Sequence, residues 1–159
     1  MDTLRGTVTL LAGQAPLGVV DDRLFALLVD HDRAEQWVVT PVPRYGKNAV
    51  IIETHDRSAG MVLPDEQPGT QVAVRPLIVG RSEPPSYPPD EVWIATPLPG
   101  DGAPDLMPNA GAFTLRPMSV SANQFIGRQF AEDLSLLPKR IVLRAEGDEP
   151  TPFIAIPNT

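Results

Sequence analysis

Short runs in which apolar and polar residues alternate account for most of this chain. GTVTLLAG (6–13), NAVIIETH (48–55) and AFTLRPM (112–118) are three of them. PLGVVDD (16–22), AGMVLPD (59–65) and QFIGRQF (124–130) are three more, each carrying one glycine within an apolar stretch. A third set is LFALLVD (24–30), QVAVRPL (71–77) and RIVLRAE (140–146), and a fourth is EQWVVTPVP (35–43), EVWIATPLPG (91–100) and TPFIAIP (151–157). Period-two alternation bounded by Gly, Pro, Asp and Asn predicts β-strands rather than helices. The one stretch with a helical look, FAEDLSLLPKR (130–140), holds Pro138 and lies between two strands, so it reads as a loop with at most one turn.

The fourth set shows that the chain repeats itself. Trp37, Trp93 and Phe153 recur at intervals of 56 and 60 residues. A β-branched residue follows each, and each run reaches a proline (Pro41, Pro97, Pro157) that cannot donate to a strand ladder. Three units of four strands predict an all-β chain with the β-trefoil fold, a single domain over residues 1–159 with lobes at about 1–46, 47–110 and 111–159. Six strands would close a barrel and six would form hairpins capping it, which removes most free edges. The two tryptophans and Phe153 would fill equivalent core positions.

Composition agrees and narrows the function. A chain of 159 residues with 42% apolar content can bury one sizeable core. Nineteen prolines and twelve glycines suit short strands with tight connections. A formal charge of −7 argues against a nucleic-acid or anionic-membrane partner. The absence of cysteine excludes disulfides and thiolate chemistry. No signal peptide or membrane-spanning run is visible, so a cytoplasmic monomer is expected, with no cofactor and no metal. Catalysis finds little support. His31 sits among acids in VDHDRAE, and His55 in ETHDRSAG has Asp56 and Ser58 beside it, but neighbours on one turn rarely form a base–nucleophile pair. No phosphate loop, metal-ligand spacing or dinucleotide turn occurs.

Recognition is therefore sought in loops that break the repeat. LIVGRSEPPSYPPDE (77–91) is several residues longer than its counterparts, and Pro84, Pro85, Pro88 and Pro89 should make it stiff and extended. Arg81 and Ser82 precede the prolines and present a basic side chain of the kind a pocket with a buried carboxylate accepts. Arg23, at the turn after Asp21-Asp22, is a second candidate. The segment PRYGKN (43–48), with Arg44, Tyr45 and Lys47, is a third. The plainer reading of all three is a solvated turn, and PPSYPP could instead dock as a polyproline helix in an aromatic groove.

The three-lobed pattern, the Trp/Trp/Phe strand and the lack of cysteine resemble the mushroom β-trefoil protease inhibitors of the cospin and cnispin type and their bacterial relatives. The resemblance covers the whole chain and implies inhibition of a protease, of the serine class, by a basic loop residue filling its specificity pocket. In cospin-like inhibitors the reactive arginine lies between the second and third strands, which matches Arg23. The plant Kunitz inhibitors, of the same fold, use the loop between strands four and five, here PRYGKN. The acids around Arg23 depart from what an acidic pocket prefers. A lectin-like module that binds glycan or protein is the alternative. The ricin-type Gln-x-Trp signature, however, is replaced here by Glu35-Gln36-Trp37, Glu91-Val92-Trp93 and Thr151-Pro152-Phe153.

Overall fold

The computed structural model describes residues 6–12, 15–28, 34–81, 85–97, 112–120, 124–128, 139–145 and 151–157. They form twelve strands in three successive sets of four: β1 (Gly6–Ala12), β2 (Ala15–Val20), β3 (Arg23–Ala26), β4 (Trp37–Pro41), β5 (Ala49–Thr54), β6 (Gly60–Val62), β7 (Ala73–Arg75), β8 (Trp93–Pro97), β9 (Phe113–Pro117), β10 (Ile126–Arg128), β11 (Lys139–Leu143) and β12 (Phe153–Pro157). Each coincides with one of the alternating runs. Of FAEDLSLLPKR, only Lys139 and Arg140 are described, and both belong to β11.

The first and last strand of each set close a barrel. Antiparallel pairing runs from β1 to β4, β4 to β5, β5 to β8, β8 to β9, β9 to β12 and back to β1. The inner strands form the hairpins β2–β3, β6–β7 and β10–β11. These meet as a triangle: β3 pairs with β11 and with β7, and the Gln71–Val142 bridge joins the stretch before β7 to β11. Closure leaves few strand edges exposed. This is the β-trefoil.

Alternation decides what fills it. In β1 the side chains of Val8, Leu10 and Ala12 are buried while those between them are not. Trp37, Trp93 and Phe153 are fully buried at matching places in β4, β8 and β12. The Phe153 ring stacks against Phe113, with centroids 6.4 Å apart. Leu10, Leu17, Leu24, Ile52, Met61 and Leu115 complete the same core. Two of the hairpin glycines are required by close approach. A Cβ on Gly60 would sit 2.9 Å from the Ile52 carbonyl oxygen, and one on Gly127 would collide with Thr151.

Connections between the third and fourth strands of each set differ in length. Residues 27–36 join β3 to β4 and residues 144–152 join β11 to β12, whereas β7 and β8 are separated by residues 76–92. The β7–β8 connection is thus the longest of the three.

Candidate functional site

The three basic candidates are presented by three different kinds of backbone. Arg23 follows a two-residue turn in which Asp21 and Asp22 both take positive φ, 51° and 61°. That is the primed turn whose twist suits a tight hairpin, and aspartate tolerates it better than most residues. Arg23 is exposed but already part of β3, paired with Val20 on one side and with Ala73 of β7 on the other. On either side of it, the Val74 N–H donates to the Asp22 carbonyl at 2.9 Å and the Leu24 N–H to the Val72 carbonyl at 3.0 Å. The side chain is available to a partner, but the backbone is held by the sheet.

Arg44 lies in a single 3-10 turn, Pro43–Tyr45, where proline at the first position supplies the φ the turn needs. The Gly46 N–H returns to the Pro43 carbonyl, and the Val42 N–H donates to Ala49. Arg44 and Lys47 are exposed, and the Arg44 guanidinium lies 5.5 Å from the centre of the half-buried Tyr45 ring, a cation–π distance.

The β7–β8 loop is organised differently from the stiff extended segment expected. It folds back on itself through an antiparallel bridge between Gly80 and Ser86, in which the Gly80 N–H donates to the Ser86 carbonyl at 2.7 Å. A Cβ on Gly80 would collide with the Ser86 hydroxyl, so only glycine allows that approach. Pro89–Glu91 then forms a 3-10 turn that leads into β8. Arg81 is exposed just beyond the bridge. Pro85, Pro88 and Pro89 lie in the described part, whereas Ser82 and Pro84 lie outside the described residues.

Two side chains that pattern reading did not assign to a structural task fasten this loop. The Tyr45 hydroxyl accepts the Tyr87 N–H at 2.8 Å, so the β4–β5 turn and the β7–β8 loop are bonded together. Burial and the nearby carboxylates of Glu53 and Glu91 push the Tyr87 phenol above its usual range, which keeps it neutral. Glu91 is almost wholly buried, and its Oε2 accepts the Ile78 N–H at 2.7 Å. Its Oε1 is buried with no partner among the described residues. Burial raises the Glu91 carboxyl above the ordinary carboxylate value; the Ile78 N–H and the Arg75 charge lower it in part. Arg44, Tyr45, Lys47 and Arg81 thus belong to one linked pair of loops. Among the described residues no hydrogen bond or ring contact ties Arg23 to them.

Among the described residues the remaining polar groups give no catalytic arrangement. Asp56 Oδ1 accepts the hydroxyls of Thr54 and Ser58 and the Ser58 N–H, at 2.8 to 3.0 Å. The Ser58 bonds above all, then Thr54, lower its pKa to about 2. The group is a turn-forming motif, and the His55 N–H is spent on Glu35 Oε1 at 3.0 Å. His31 lies outside the described residues. No cluster of three metal-ligating side chains occurs among the described residues. A shallow cleft of about 310 Å³ between Leu63–Glu66, Pro89, Asp90 and Ser119 is acidic and carries no nucleophile–base pair.

Comparison with known proteins fits a scaffold that presents loops. The family described as peptidase inhibitor I66 matches residues 2–97, more than half of the chain. The chain belongs to the peptidase inhibitor I66 family. A protein from Lentinula edodes named as a serine protease inhibitor is 44% identical over 79 residues, 50% of this chain and 54% of that protein. The chain thus spans about half the length of that curated relative. Among solved structures, the designed threefold-symmetric protein ThreeFoil superposes with a TM-score of 0.66 at 13% identity, covering 96% of this chain and 99% of its own. That likeness supports the fold and nothing further. A proteinase inhibitor from Coprinopsis cinerea aligns at 22% identity over 57% of this chain and 96% of its own, with a TM-score of 0.46. The expected kinship with the mushroom inhibitors holds, and the family is one of inhibitors rather than enzymes.

Proposed function

We propose that this chain inhibits a serine protease by placing a basic loop side chain in the protease's specificity pocket. Membership of an inhibitor family, with a Lentinula edodes serine protease inhibitor as a 44% identical relative, carries the reading. The scaffold suits the task. A closed barrel with pinned loops loses little conformational entropy on binding, which favours a tight complex.

Arg81 is the residue the geometry supports best. Substrate-like docking needs a basic side chain on backbone whose own hydrogen-bonding groups are open to the protease. Arg23 is laced into β3 between β2 and β7, and Arg44 is wound into a 3-10 turn. Arg81 has neither restriction. The resemblance favours Arg23 instead. That reading draws its support from the exposed side chain at the β2–β3 turn and requires recognition by the side chain alone.

The test is a titration of trypsin, subtilisin, a papain-like enzyme and an aspartic protease with the purified chain. Stoichiometric loss of trypsin activity is expected. Inhibition of only the papain-like or aspartic enzyme would discard the arginine mechanism. Four fully active proteases at high molar excess would remove the inhibitor reading, and a glycan-binding screen would then take its place.

A further inference from the structure

Backbone hydrogen bonding along Ile78–Arg81 alternates. The Ile78 N–H is held by Glu91 at 2.7 Å, and Gly80 is held by Ser86 through both its N–H and its carbonyl, at 2.7 and 3.5 Å. Between and beyond them, Val79 and Arg81 make no backbone hydrogen bond to any described residue. In an extended strand the N–H and C=O of one residue point to the same side, and those of the next residue to the other. Alternate anchoring at 78 and 80 therefore turns one edge of this segment to the scaffold and leaves the other open at Val79, with Arg81 at the bend that follows the bridge.

The side chains add a second, independent feature. Only three large apolar residues are substantially exposed among the described residues, and two of them are adjacent in this segment: Ile78 at 66% and Val79 at 51%. Exposed neighbouring aliphatic residues on a loop, followed by glycine and arginine, leave most of their apolar surface open, as interaction sites do.

Resting on the inhibitor reading above, we infer that Ile78–Arg81 is an open strand edge built to lie in the extended substrate groove of a trypsin-like serine protease. The backbone of Val79 adds antiparallel to a strand of the protease. Arg81 enters the basic-specificity pocket, and Ile78 and Val79 fill apolar subsites on the amino-terminal side of it. The partner is thus narrower than a protease that cleaves after arginine. It prefers aliphatic side chains two and three residues before that arginine, with a small residue between.

Trypsin, titrated with the full chain and its variants, tests this inference. Val79→Pro removes an outward N–H while keeping both scaffold bonds, and it should raise the inhibition constant at least tenfold with an unchanged melting temperature. Ile78→Asp combined with Val79→Asp keeps the backbone but abolishes the apolar contacts. It should weaken inhibition by a similar factor, whereas Val79→Ile retains it. Wild-type inhibition by both the Pro and the double Asp variant, with Arg81→Ala inactive, would overturn the edge and leave the inhibitor reading standing. A wild-type chain without effect on trypsin would overturn both.

Discussion

Trp93 donates its indole N–H to the Met61 carbonyl at 2.9 Å, whereas the equally buried Trp37 N–H has no acceptor among the described residues. Replacement by phenylalanine opens similar space at both sites, but only at 93 does it orphan a carbonyl. Trp93→Phe should therefore cost about 1 kcal/mol more than Trp37→Phe, read from urea unfolding midpoints. Glu91 gives a pH-dependent counterpart. Burial raises its folded pKa above the ordinary 4.5, so the folded state binds this proton more tightly than the unfolded one. Its stabilising effect is full below pH 4.5 and is lost as pH rises through the raised folded value. Glu91→Gln keeps an acceptor for the Ile78 N–H and removes the charge. The variant should be more stable than wild type at pH 7 and show a flatter pH dependence, as measured by thermal unfolding across pH 4 to 8. Neither effect was legible beforehand, because a glutamate two residues before a tryptophan looks the same in sequence whether solvated or buried.

At the level of elements, that position has one task three times over. The residue two before the core aromatic accepts a backbone N–H from a distant loop or strand in each set. Glu35 takes that of His55, Glu91 that of Ile78 and Thr151 that of Arg128. The repeated strand thus carries its own fastener, and the divergence from Gln-x-Trp preserves an acceptor. Strands were readable because period-two burial and terminal prolines are local signals. The fastening of the β7–β8 loop by Tyr45 joins residues 42 positions apart and leaves no local trace. Tyr45 is a binding candidate by sequence and a support in the structure. Tyr45→Phe should speed hydrogen exchange at the Tyr87 amide and cost about 1 kcal/mol. The β2–β3 turn offers the opposite change. Asp22 holds φ at 61°, where glycine is unstrained, so Asp22→Gly should raise stability by several tenths of a kcal/mol. If Arg81 is the reactive residue, the same change leaves inhibition untouched.

For the whole molecule, threefold repetition made the β-trefoil legible from the spacing of three aromatics, and closure of the barrel follows from the pairing of β1 with both β12 and β4. The candidate surface was only partly legible. Arg23, Arg44 and Arg81 are indistinguishable as exposed cations, and they separate only when the backbone that carries each is seen. Tertiary hydrogen bonding makes that distinction: a ladder strand, a 3-10 turn and a bridged loop whose Val79 makes no backbone hydrogen bond to a described residue. The most direct test is the trypsin inhibition constant of Arg23→Ala, Arg44→Ala and Arg81→Ala measured side by side with the wild-type chain. A reactive Arg81 requires that only Arg81→Ala loses inhibition, by a hundredfold or more, with all four proteins melting at the same temperature. Loss confined to Arg23→Ala would contradict it and assign recognition to the β2–β3 turn.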